Sequence, residues 1–86
     1  MDTVYIVMGT TGEYSDREEW PVCAYTNEQA AQQHVEAAEK RAKEIEVLWR
    51  GNEYRMPEGL KNEHDPDMAM EYTGTHYYIM ATQLRD

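Results

Sequence analysis

The sequence predicts an α+β fold in ββαβ order: a three-stranded antiparallel sheet, with room for a fourth strand, ordered 2-1-3 and covered on one face by one long helix. Three observations carry this. Two β-branched and aromatic runs, Thr3 to Met8 and Trp20 to Tyr25, precede an apolar pattern of helical period between Ala31 and Trp49. A third such run, His76 to Leu84, follows it. A chain of 86 residues has interior for one layer of helix on one sheet, so residues 1-86 form a single domain.

The first strand, Thr-Val-Tyr-Ile-Val-Met, is continuously apolar and is stopped by Gly9, which suits a central position covered on both faces. In the second, Pro21 cannot donate to a ladder and so places that strand at an edge. The eleven residues between them, from Gly9 to Glu19, are too many for a tight turn and form an elaborated hairpin loop.

Thr26 opens the helix with Gln29 three residues on, a capping-box spacing in which Asn27 can share the role. Ala31, Val35, Ala38, Ala42, Ile45 and Trp49 then line one face, which must pack on the sheet. Glu36 with Lys40 and Glu39 with Lys43 are spaced as i,i+4 pairs on the opposite side, and Gly51 ends the helix. Residues 51–67 carry two prolines and two glycines without periodicity and read as a long irregular connection. Thr73-Gly74-Thr75 can join the last strand to a short extra strand at Met68 to Tyr72.

A net charge of −9 repels nucleic acid and anionic membrane surfaces and attracts basic ones. Topology gives that charge a place. If the first strand runs up, the helix climbs and the last strand descends beside the first, so the 9–19 and 51–75 segments meet at the top. These two segments hold −7 of the −9. An acidic pole is therefore expected, with Glu13, Asp16, Glu18, Glu19, Asp65 and Asp67 as its carboxylates and Tyr14 and Tyr54 as interface anchors.

Other chemistry is sparse. The lone Cys23 lies in an apolar strand, forms no internal disulfide and reads as an inert buried thiol of a reducing compartment. Glu63, His64, Asp65 and Asp67 lack calcium-loop spacing and offer one imidazole, so no metal and no cofactor are expected. Gly9-Thr-Thr-Gly12 lacks the lysine of a phosphate loop and reads as a turn. No triad can be assembled, and catalysis is not expected. Residues 1–8 lack a signal-peptide pattern and no run is long enough to span a bilayer, which points to the cytoplasm.

Tyr5-Ile-Val-Met-Gly-Thr-Thr-Gly-Glu-Tyr-Ser-Asp16, followed by Glu19-Trp-Pro-Val-Cys-Ala-Tyr25 and an Ala/Glu/Lys-rich helix, resembles small acidic proteins encoded by bacteriophages and prophages, over the first half of the chain. Proteins of this kind include anti-CRISPR inhibitors, several of which mimic nucleic acid in the basic groove of an effector complex. The resemblance implies a phage-encoded inhibitor in the host bacterial cytosol, with a basic protein such as a CRISPR effector subunit as partner. A second expectation, from the residues alone, is an assembly module. One helix covers one sheet face, and the apolar residues on the other favour a homodimer. A small metal-dependent enzyme is the third.

Overall fold

The computed structural model describes residues 2–85. Strand β1, Thr3–Thr11, pairs antiparallel with β2, Glu18–Tyr25, on one side and with β3, Thr75–Gln83, on the other. The sheet order is β2-β1-β3, as the charge-placing topology requires, and helix α1, Glu28–Gly51, crosses one face. Among the described residues the sheet has three strands. Met68 to Tyr72, the candidate fourth, has no strand pairing, because Thr11 takes the amide of Glu71 and Thr75 bonds back to the carbonyl of Ala69.

β1 continues past Gly9, where the sequence placed its end. Glycine at this position leaves space for the indole of Trp20 on β2, which would lie 2.6 Å from an added Cβ. Opposite Val7 and Met8 the register slips by one residue, with Val7 facing Cys23 and Met8 facing Pro21. Val22 is thus the extra residue of a β-bulge, beside the proline of an edge strand, where both irregularities are tolerated.

The helix is capped by Asn27, whose Oδ1 accepts the Ala30 amide at 3.1 Å with extended backbone at φ −103°. The Thr26 capping box is displaced by one residue, Asn27 taking the N-cap position with its side-chain oxygen on the N3 amide. All six residues of the apolar stripe, Ala31 through Trp49, are buried. Three of them are alanines, so the helix lies close on Val7 of β1 and Tyr77 of β3. Glu39 does not pair with Lys43. Its Oε1 accepts the Tyr77 amide at 2.7 Å, satisfying a donor on the outer edge of β3. The i,i+4 ion pair on this helix is Glu46 with Arg50, 3.0 Å apart.

Beyond the helix the chain returns along the molecule. Asn62 Nδ2 donates to the carbonyl of Ala38, and the His64 carbonyl lies 2.7 Å from His34 Nε2, near the start of α1. It then climbs back, so that Tyr72 lies beside Trp49 near the end of α1. The 51–75 segment is therefore an ordered layer against the helix and sheet rather than a loop confined to one end.

Candidate functional site

The two connecting segments meet at the top of β1. Gly12 turns the chain at φ 86°, a left-handed conformation in which a Cβ would strike the Asp16 carbonyl. One 3₁₀ turn, Tyr14–Asp16, closed by the Asp16 amide on the Glu13 carbonyl at 3.0 Å, leads into β2. Thr11, 2 % exposed, donates its hydroxyl to the Gly74 carbonyl at 2.8 Å and accepts the Glu71 amide at 3.0 Å. The Gly12 amide donates to Thr73 Oγ1 at 3.0 Å. These bonds span some sixty residues of sequence and fix Glu13 and Asp16 opposite Glu71.

Between them lies a cleft of about 160 Å³ lined by Gly12, Glu13, Asp16, Glu71, Tyr72 and Thr73. It adjoins a wider hollow of about 500 Å³ lined by Thr10, Gly12, Glu13 and Arg17. Glu18 is exposed at the start of β2. Glu19 is exposed but engaged: Arg17 donates to it at 2.8 Å and the Tyr78 hydroxyl at 2.7 Å. The Tyr78 hydrogen bond, with the charge of Arg17, holds the Glu19 carboxyl below its ordinary value, and the same bond raises Tyr78.

An aromatic shelf borders the cleft. Tyr54 and Tyr72 have ring centroids 5.0 Å apart, and both pack edge-on against Trp49, at 5.1 and 6.0 Å. Trp49 is 8 % exposed, whereas Tyr54 and Tyr72 are 48 % and 65 % exposed. Tyr54 reaches this position through two successive left-handed residues, Glu53 at φ 55° and itself at φ 61°, with its amide on the Trp49 carbonyl at 2.9 Å. Arg50 donates to the Tyr72 carbonyl and ties the two sides together.

Of the carboxylates expected at this pole, two lie elsewhere. Asp65 is 1 % exposed and cannot meet a partner: its Oδ2 accepts the Trp20 indole N–H at 2.9 Å and the Tyr77 hydroxyl at 2.7 Å. Asp67 is exposed in the adjoining turn, on the returning layer. Glu63 pairs there with Arg41, 3.4 Å away. The acidic end is smaller than the charge count implied, because the chain doubles back and takes these acids with it. The Tyr14 side chain lies outside the described residues. Glu71 was not singled out from the sequence; the only signal was the Thr-Gly-Thr turn that follows it.

A second cluster joins β2, α1 and the returning layer. A backbone carbonyl can only accept, so His34 Nε2 carries the proton and donates to His64 O, leaving Nδ1 to accept from the Tyr25 hydroxyl at 2.8 Å. Cys23 Sγ lies 3.7 Å from the same ring. Burial pushes the Cys23 thiol up, and both imidazole nitrogens are engaged, so the geometry neither stabilises a thiolate nor leaves a base free. The cluster acts as a clasp across three segments. Among the described residues no group of three or more His, Cys, Asp or Glu side chains is arranged to hold a metal ion, and no helix is long and apolar enough to cross a membrane.

No protein-family model, curated protein or solved structure matches the chain.

Proposed function

We propose that this is a non-catalytic binding protein that offers its acidic end to a basic protein surface. A phage-encoded inhibitor of the anti-CRISPR type, covering a nucleic-acid-binding face of an effector subunit in the host cytosol, fits this reading. The observation that supports it is the hydrogen-bonded junction of Thr11 and Gly12 with Glu71, Thr73 and Gly74, which gathers Glu13, Asp16 and Glu71 around one cleft with Tyr72 in its wall. Like charges held together cost stability, and a lysine or arginine surface relieves that cost. The exposed rings of Tyr54 and Tyr72 supply rigid apolar area beside the charge, the usual composition of an interface anchor.

The test is capture of basic proteins from a bacterial lysate at low and moderate salt, with the wild type and with Glu13, Asp16, Glu18 and Glu71 reversed to lysine. All four side chains are exposed, so the fold should survive, as circular dichroism would verify. Capture should fall at least about tenfold and lose its salt dependence. Equal capture by the reversed variant would remove the acidic end from the mechanism.

A second reading, an assembly module, is favoured by the uncovered sheet face, where Met80 is 44 % exposed. It predicts self-association and indifference to basic proteins.

A further inference from the structure

Among the described residues no further element lies over the face of the sheet opposite α1. The register puts Val4, Ile6 and Met8 of β1 beside Ala24 of β2 and Tyr78 and Met80 of β3 on that side, because Val7 and Tyr77, one residue out of phase, are buried under the helix. The molecule is a slab of 48 × 27 × 17 Å with a radius of gyration of 14.0 Å, against about 12 Å for a compact domain of this length. Its accessible surface, 6012 Å², exceeds by several hundred Å² the roughly 5,300 Å² that the size scaling gives for such a mass. A sheet with one face left open is consistent with this flat, extended shape.

We infer that this face pairs with the same face of a second copy, in a reversible homodimer whose acidic ends point in opposite directions. The occupant follows from charge and area. On this face the ionised pair is Glu19 with Arg17, the former also bonded by Tyr78, while His76 at the upper edge turns toward Glu39 of α1, 3.9 Å away. A highly charged partner gains little from such a surface, whereas a second copy brings an equally apolar one and keeps both sets of acids outside the contact.

Strands of nine residues give a face about 30 Å long, and three strands make it about 14 Å wide. Two copies would bury on the order of 1,000 Å², at the lower limit of specific interfaces, so the pair should dissociate on dilution. A twofold axis across the strands sets the acidic ends far beyond a screening length of about 8 Å, while an axis along the strands would bring them together. The dimer would thus present two acidic ends facing apart. This inference concerns a different face and holds whether or not the acidic end binds a basic partner.

Sedimentation equilibrium across a wide concentration range tests the pairing. The wild type should move from monomer to dimer mass, Met80→Arg should remain monomeric with an unchanged circular dichroism spectrum, and Val47→Arg, on a 71 % exposed helix position, should dimerise like the wild type. Monomer mass throughout, or a dimer lost with Val47→Arg and kept with Met80→Arg, overturns the inference. For orientation, spin labels on Ser15→Cys in a Cys23→Ala background should be separated by roughly the 48 Å length of the molecule. A separation well short of that length would overturn the opposed arrangement.

Discussion

Asp65 Oδ2 accepts the indole N–H of Trp20 at 2.9 Å across 45 residues of sequence. Because Tyr77 donates to the same oxygen, one buried carboxylate joins β2, β3 and the returning layer. Removing it leaves two donors without their acceptor, the Tyr77 hydroxyl in a buried position and the Trp20 N–H in a partly buried one. Asp65→Ala should lower stability by about 2–4 kcal/mol, and Trp20→Phe by about 1–2 kcal/mol, in urea unfolding. Gly9→Ala, which displaces the indole, should cost about 1–3 kcal/mol. Its effect should not add to that of Trp20→Phe, since both act on the same ring. Additive losses would show that Gly9 and Trp20 are independent.

Glu53 and Tyr54 adopt left-handed backbone in succession, a conformation that costs an L-residue about 1–2 kcal/mol. Tyr54 recovers part of this by packing on Trp49. The exposed Glu53 side chain has no comparable contact among those observed. Glu53→Gly should therefore raise stability by about 0.5–1 kcal/mol, after the greater entropy of glycine in the unfolded chain is set against the relieved strain. Tyr54→Gly should lower it. A lower thermal midpoint for Glu53→Gly would mean that the turn is unstrained.

His34 should hold its proton on Nε2 at neutral pH, as the accepting carbonyl of His64 requires. Long-range ¹⁵N–¹H correlation spectra distinguish the two tautomers. In Tyr25→Phe, Nδ1 loses its donor, so its nitrogen shift should move while Nε2 stays protonated. A proton on Nδ1 in the wild type would contradict the clasp between α1 and residue 64.

Two shifted groups contribute pH-dependent stability at opposite ends of the scale. Glu19 is held below its ordinary value, first by the Tyr78 hydroxyl and then by Arg17. A depressed carboxyl contributes stability that is present above its unfolded value of 4.5 and is lost as pH falls through the folded one. In Tyr78→Phe the Glu19 titration, followed by carboxyl ¹³C shifts, should move upward. At the alkaline side, burial and then the hydrogen bond to Asp65 raise Tyr77 above the ordinary tyrosine value of 10.0. Its contribution is complete below that pH and declines as pH rises further. Absorbance titration should find one tyrosine resisting ionisation until the protein unfolds, and Tyr77→Phe should abolish that resistant step.

Legibility of the acidic end was partial for a physical reason. Strand order and direction brought the 9–19 and 71–75 segments together, and the Thr11–Gly74 bond is where they meet. Composition gave no sign that the chain between Tyr54 and Tyr72 would fold back to His34. That path depends on Asn62, His64 and Asp65 finding Ala38, His34 and Trp20, and such distant polar pairings leave no periodic trace. Counting carboxylates by segment therefore assigned Asp65 to a surface it never reaches.

What the sequence by itself determined is the set of elements and their order: three β-branched and aromatic runs, one apolar stripe of helical period, a proline at the edge strand and six stripe residues that are all buried. Burial of those faces is a local demand, repeated along each segment, and one helix on one sheet satisfies it in 86 residues. The tertiary structure alone decided which polar groups turn inward and which acids remain exposed. A buried carboxylate is stable only where donors from separate strands converge on it, and that convergence exists once the chain has folded.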